Sequence, residues 1–182
     1  TNDHQGHGTA MAGVAIYNNL TDIFLKNEEF EVNHKIESVK ILPPRGNNPK
    51  ELYGAITEQA VSLAEIERPN RNRVICMAVT TDEFYDKDGS PTSWSAAVDN
   101  ITSGVNTNGE DKRLFFISAG NISPHQLADA EYPDINALES VKNPAQSWNA
   151  ITVGCYTNNV SIQDPRLSGY TPVADVEQLS PY

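Results

Sequence analysis

The chain has 182 residues, 38% hydrophobic and 20% charged, with a formal net charge of −11. That length can bury a core as one unit, and the hydrophobic content argues against bulk disorder. The acidic balance argues against a nucleic-acid partner, because phosphate binding needs clustered Lys and Arg. No apolar run reaches the length of a membrane-spanning helix.

Taken in chain order, residues Thr9 to Leu20 are small or apolar and predict a buried helix that ends at Asn18-Asn19. The alternation in Ile36-Glu37-Ser38-Val39-Lys40-Ile41-Leu42 predicts a strand, stopped by Pro43-Pro44 and a loop to Pro49. Leu52, Ile56, Ala60, Leu63 and Ile66 follow helical spacing, and Pro69 stops that helix. The apolar run Arg73 to Val79 predicts a strand covered on both faces. After a loop from Thr80 to Thr92, Ser93 to Ile101 predicts a helix with Thr92 or Ser93 as its N-cap. Leu114 to Ala119 and Ala150 to Cys155 predict two further strands, and Thr171 to Tyr182 reads as loop. Strands separated by helices imply a mainly parallel sheet with helices on its faces, an α/β class. Cys76 and Cys155 fall in the apolar runs and are expected to be buried free thiols. They lean the localisation, otherwise unknown, towards the cytoplasm.

Two short segments carry the chemistry. Gln5-Gly6-His7-Gly8-Thr9-Ala10-Met11-Ala12-Gly13 puts an imidazole between glycines at the start of a small-residue helix. Imidazole is the side chain suited to taking and returning a proton near neutral pH. Phe115-Phe116-Ile117-Ser118-Ala119-Gly120-Asn121 runs an apolar strand into a side-chain amide, a donor of the kind that stabilises a developing oxyanion. Read alone, the first is a helix start in which His7 caps or packs, and the second is a Gly-Asn turn.

The first segment resembles the His-Gly-Thr-x-x-Ala-Gly block of the subtilisin-like serine peptidases, and the second resembles that family's oxyanion-hole block. Two more segments fit in the same order. Val74 to Thr80, followed by Ser93 to Asn100, is similar to the family's substrate-pairing strand and its next helix. Asn143-Pro144-Ala145 leading to Ala150–Cys155 is similar to its Pro-Ala segment and Val-Gly strand. Where the family usually has Ser-Leu-Gly, this chain has Ala78-Val79-Thr80, so the resemblance does not carry over the shape of the primary specificity pocket.

The resemblance implies a three-layer subtilisin-like fold and a serine endopeptidase. In it His7 would be the general base and Asn121 the oxyanion donor. Ala78, Val79, Thr80, Ser118, Ala119 and Gly120 would line the cleft for a peptide or protein substrate. The family's aspartate motif comes before the histidine block and its serine motif well after the asparagine. Asp3 is too near His7 to be that aspartate and reads as loop, and no Gly-Thr-Ser-x-Ala occurs. The expectation is therefore a partial peptidase domain over residues 1–182, incomplete at both ends and inactive alone. The alternative is a non-catalytic module binding an extended polypeptide in the same cleft. A third reading, a metal-dependent hydrolase on Asp3, His4 and His7, lacks a further strong ligand. No cofactor is expected. Structural calcium is not indicated, since Asp82 to Gly89 is acidic but does not match a twelve-residue calcium loop. Oligomeric state is left open.

Overall fold

A computed structural model describes residues 3–26, 31–82, 89–123, 125 and 131–181. The chain divides into two units, Thr1–Arg71 and Asn72–Tyr182.

In the first unit, α1 spans His7–Tyr17 and α2 spans Leu20–Lys26. Asn18 ends α1 with φ 56°, its N–H returning to the Val14 carbonyl. The residues of α1 are apolar all round, and the expectation of a buried helix is not met: none of them is buried. The larger side chains Val14 and Tyr17 are exposed as well, so apolar composition alone does not place a helix in a core. A 3-10 turn at Lys50–Leu52 opens α3, Tyr53–Glu67, which stops before Pro69 as the sequence predicts. The inward residues of α3 are Thr57 and Val61, and Thr57 Oγ1 donates to the Tyr53 carbonyl at 2.8 Å.

The strand expected at Ile36 to Leu42 is not formed. Alternation gives a segment two faces, but a strand also needs a neighbour for its backbone groups. None of the described residues pairs with it. The segment is instead held by side chains. His34 Nε2 donates to the Ala15 carbonyl at 2.9 Å, Asn48 Nδ2 to the Ile41 carbonyl at 2.7 Å, and Arg71 Nη1 to Glu37 Oε1 at 2.5 Å.

The second unit is the α/β part. Strands β1 (Val74–Met77), β2 (Leu114–Ser118) and β3 (Ile151–Val153) form a parallel sheet in that order. Helix α4 (Ser93–Ser103) connects the first pair and α5 (Asp134–Leu138) lies between the second. The register pairs Val74 with Leu114, Met77 with Ile117, and Phe116 with Ile151.

Helix α4 begins as the sequence predicts. Thr92 Oγ1 accepts from Ser95 N at 3.0 Å while Ser95 Oγ accepts from Thr92 N at 2.7 Å, a reciprocal cap. Its buried stripe is Trp94, Ser95, Val98, Ile101 and Thr102, the spacing of one helical face. Gly104 ends it at φ 70°, and a Cβ there would strike the Asp111 backbone, so both conformation and space require glycine. The sequence patterns do not predict helix α5.

The core of this unit joins Met77, Phe115 and Ile117 to Trp94, Val98, Ile101, Ile122, Ile135 and Ala145. The expectation that the apolar strands are covered on both faces does not hold. Phe115 and Ile117 are buried, whereas Val74, Leu114, Ile151 and Val153 are exposed. An apolar run cannot by itself say which alternate side chains find partners. For the same reason Cys76, which pairs with Phe116, is exposed rather than buried, and Cys155, beyond the end of β3, is exposed too; both thiols are free.

The segment Thr171 to Pro181 is irregular, as expected, and the chain after β3 is tethered. Tyr156 bridges Leu179, Tyr132 Oη donates to the Leu179 carbonyl at 2.7 Å, and Asn136 Nδ2 donates to the Ser180 carbonyl at 3.0 Å.

Candidate functional site

His7 is the first residue of α1, exposed at its N-terminus. Gly6, in the cap position, has φ 78° and supplies no side-chain cap. Asp3 takes over that task from three residues further back. Its Oδ1 accepts from Gln5 N at 3.2 Å and Gly6 N at 2.9 Å. Its Oδ2 accepts from Thr9 N at 2.7 Å and Thr9 Oγ1 at 2.8 Å. The Thr9 backbone N–H, then the Thr9 hydroxyl, lower the Asp3 pKa from the usual 3.8 to about 2, outweighing a small opposing desolvation. The aspartate read as loop is thus the anchor of this helix start. The available signal was an acidic side chain just upstream of a helix N-terminus, where unpaired N–H groups and the helix dipole favour an anion.

This arrangement also bears on the metal reading. Both Asp3 oxygens are occupied by N–H and O–H donors. Among the described residues no group of three or more His, Cys, Asp or Glu side chains could hold a metal ion.

In the second unit the residues singled out from the sequence gather at the carboxyl ends of β1 and β2. Ala78, Val79 and Thr80 follow β1, half-buried. Ser118 ends β2, and Ala119 and Gly120 follow it, again half-buried. The Ala119 backbone is clipped on both sides, its N–H donating to the Val153 carbonyl at 2.9 Å and its carbonyl accepting from Lys142 N at 2.7 Å. Gly120 N donates to Ser118 Oγ at 3.2 Å. The strand end is therefore fixed by the sheet on one side and by the segment around Lys142 on the other. Asn121 comes next and is exposed; among the described residues no hydrogen bond engages its side-chain amide.

Gly120 cannot be another residue. Its φ is 96°, and a Cβ would fall on Cβ and Cγ of Lys142, with Thr80 Oγ1 3.4 Å away. The Lys142 stem thus occupies the space over Gly120, beside the hydroxyl of Thr80. Its ammonium reaches Glu139 Oε2 at 2.8 Å and Asp82 Oδ1 at 3.2 Å. The Lys142 and Glu139 side chains are only 6% and 4% exposed, whereas Asp82 is 77% exposed. Sequence reasoning missed this pair, because a Lys three residues after a Glu usually marks a solvated face. Asp82 is the only member of the expected acidic loop drawn into it among the described residues; residues 83–88 lie outside them.

The Asn143–Pro144 segment holds Lys142 in place. Asn143 is buried, its carbonyl accepts from Thr81 N at 2.9 Å, and its Oδ1 accepts from Thr92 Oγ1 at 2.5 Å. A few residues on, Asp99 Oδ1 on α4 accepts from Ser147 Oγ at 2.6 Å and from Trp148 N and Asn149 N at 2.8 Å. The cap and outer face of α4 thereby grip the loop that backs Gly120.

The family model described as the subtilase family matches residues 1–181. No curated protein and no solved structure gives a significant match.

Proposed function

The chain belongs to the subtilase family, a family of serine-type peptidases that act on peptide or protein substrates, and from that premise we propose that it supplies the general base and the oxyanion donor of an endopeptidase. In this reading His7 takes the proton from a serine nucleophile and returns it to the leaving amine. The Asn121 amide donates to the oxyanion that forms on the attacked carbonyl. Ala78, Val79 and Thr80 form one wall of the substrate cleft, and Ser118, Ala119 and Gly120 the other. Residues 1–182 contain no Gly-Thr-Ser-x-Ala, so the reading assigns no nucleophile within them.

The observation that carries the reading is the family match over nearly the whole chain, with His7 at an open helix start and Asn121 at an open strand end. The test uses the complete gene product. Wild type is expected to hydrolyse internal peptide bonds and to be labelled by a fluorophosphonate, while the polypeptide Thr1–Tyr182 alone does neither. His7→Ala in the complete protein is expected to stop turnover with the fold retained. A folded complete protein that neither hydrolyses peptides nor takes the label, yet binds extended polypeptides, would identify a non-catalytic binding module instead.

A further inference from the structure

The described residues place Asp3 around His7 in a way that a simple helix cap does not require. An ordinary cap is the residue next to the helix, and it satisfies one N–H of the first turn. Asp3 divides its two oxygens. Oδ1 holds the backbone N–H groups of Gln5 and Gly6, before the imidazole; Oδ2 holds the N–H and hydroxyl of Thr9, after it. The carboxylate also lies over the intervening Gly8, where a Cβ would sit 3.5 Å from Oδ2. The left-handed turn at Gly6 is what folds the chain back far enough for this.

Among the described residues no hydrogen bond other than those of Asp3 supplies a side-chain cap at this helix end. Gly6 offers no side-chain cap and α1 has no fully buried residue, so packing holds the start of this helix less firmly than it holds a core helix. A catalytic imidazole needs its direction fixed, because a displacement of about 1 Å can cost on the order of a hundredfold in rate.

We infer that Asp3 is the positioning residue of His7, its carboxylate bracketing the imidazole's backbone from both sides. This rests on the peptidase reading for its effect on rate, but not for its effect on His7 itself. The carboxylate is ionised throughout the neutral range, held well below its usual pKa by the Thr9 donors. Asparagine keeps one acceptor oxygen and loses the other, so it can hold one side of the bracket; alanine holds neither.

The experiment compares wild type, Asp3→Asn and Asp3→Ala in the complete protein by two readouts. NMR follows the His7 ring resonances and the exchange of the Thr9 amide. Steady-state kinetics on a peptide substrate, normalised by active-site titration, gives kcat and KM. For Asp3→Ala the expected result is loss of Thr9 amide protection and displaced His7 ring resonances. Its kcat should fall about ten- to a hundredfold with KM within about twofold. Asp3→Asn should lie between the two. The inference is overturned if Asp3→Ala leaves the His7 resonances and Thr9 protection as in wild type, or if they change while kcat per titrated site stays within about twofold. A wild-type protein without turnover would count against the peptidase reading, and the NMR comparison would still decide whether Asp3 positions His7.

Discussion

His7 and Asn121 are fixed by opposite means. The histidine lies at the start of a helix with no buried residue, and its placement comes from contacts within a few residues: Asp3, Gln5, Gly6 and Thr9. The asparagine lies at the end of a strand tied into a core, and its placement comes from residues far along the chain: Val153 and Lys142 on Ala119, with Thr92, Asp99 and Asn143 behind them. A locally built position is sensitive to single side chains nearby but detached from global stability. A position built by tertiary contacts is buttressed by the fold, and damage to its supports is expected to show first as lost stability.

The largest expected effect is on the tertiary side, at Lys142. Lys142→Met leaves the Glu139 carboxylate buried without its ammonium, a loss of about 3–5 kcal/mol of stability. Asp82, being exposed, loses little. Adding Glu139→Leu removes the stranded charge and should restore most of the stability, since an apolar pair of similar volume replaces a buried ion pair with little net cost. Denaturant unfolding of the two single variants and the double variant measures this. A Lys142→Met protein as stable as wild type would mean that the ion pair does not buttress the strand end.

The same contrast explains what could be read in the sequence. The strands β1, β2 and β3, the helices α3 and α4 and the Thr92 cap were all legible, because periodicity, capping residues and proline stops are local signals. The family itself was legible through the resemblance of several short blocks, and the family match over residues 1–181 agrees with it. What failed depends on partners. Ile36 to Leu42 has the alternation of a strand but no described neighbour to pair with. The exposure of Cys76 follows from which face of β1 is covered, and no apolar run encodes that. Lys142 looks like a surface lysine until Gly120, almost at the other end of a loop, is seen to make room for its stem. Asp3 was missed for a narrower reason: it caps from three residues before the cap position, outside the usual pattern.

Next in size is Asn121→Ala, which should separate catalysis from support at the strand end. The amide is exposed and engages no described partner, so stability should change by no more than about 0.5 kcal/mol. In the complete enzyme kcat should fall on the order of 10²–10³, or about 3–4 kcal/mol, with a smaller effect on KM. That magnitude is carried over from subtilisin rather than computed from this chain. Kinetics and thermal unfolding on the same preparation test it. Unchanged kcat would remove Asn121 from the reaction, and a large loss of stability would make it a turn residue.

A smaller effect is expected at Thr92, where a local device serves a distant one. Thr92→Ala removes the cap of α4, worth about 1 kcal/mol. It also deprives the buried Asn143 Oδ1 of its donor, worth about 1–3 kcal/mol more. Thr92→Ser keeps the hydroxyl for both tasks and should cost less than about 1 kcal/mol, through its lost methyl. If alanine and serine cost the same, the hydroxyl does not couple α4 to the Asn143–Pro144 segment.

The smallest effect is on the local side and depends on acid. Asp3 is ionised in the folded state down to about pH 2, whereas its usual pKa is 3.8. A depressed carboxylate pKa contributes stability that is fully present above the unfolded value and is lost as pH falls through the folded one. The hold of Asp3 on α1 should therefore be complete above about pH 4 and weaken progressively towards pH 2. The Thr9 amide reports it directly, since its N–H donates to the carboxylate. Its hydrogen-exchange protection should fall across that window in wild type, while sheet amides such as that of Ile117 keep theirs until global unfolding. Asp164 also has a lowered pKa, through Arg166, but it acts on the turn at Pro165–Leu167 and not on Thr9. In Asp3→Asn no carboxylate titrates at this position, so Thr9 protection should be weaker than in wild type and flat over the same range. An identical acid dependence in wild type and Asp3→Asn would mean that the start of α1 is held by something other than this carboxylate, and the contrast between His7 and Asn121 would lose its local half.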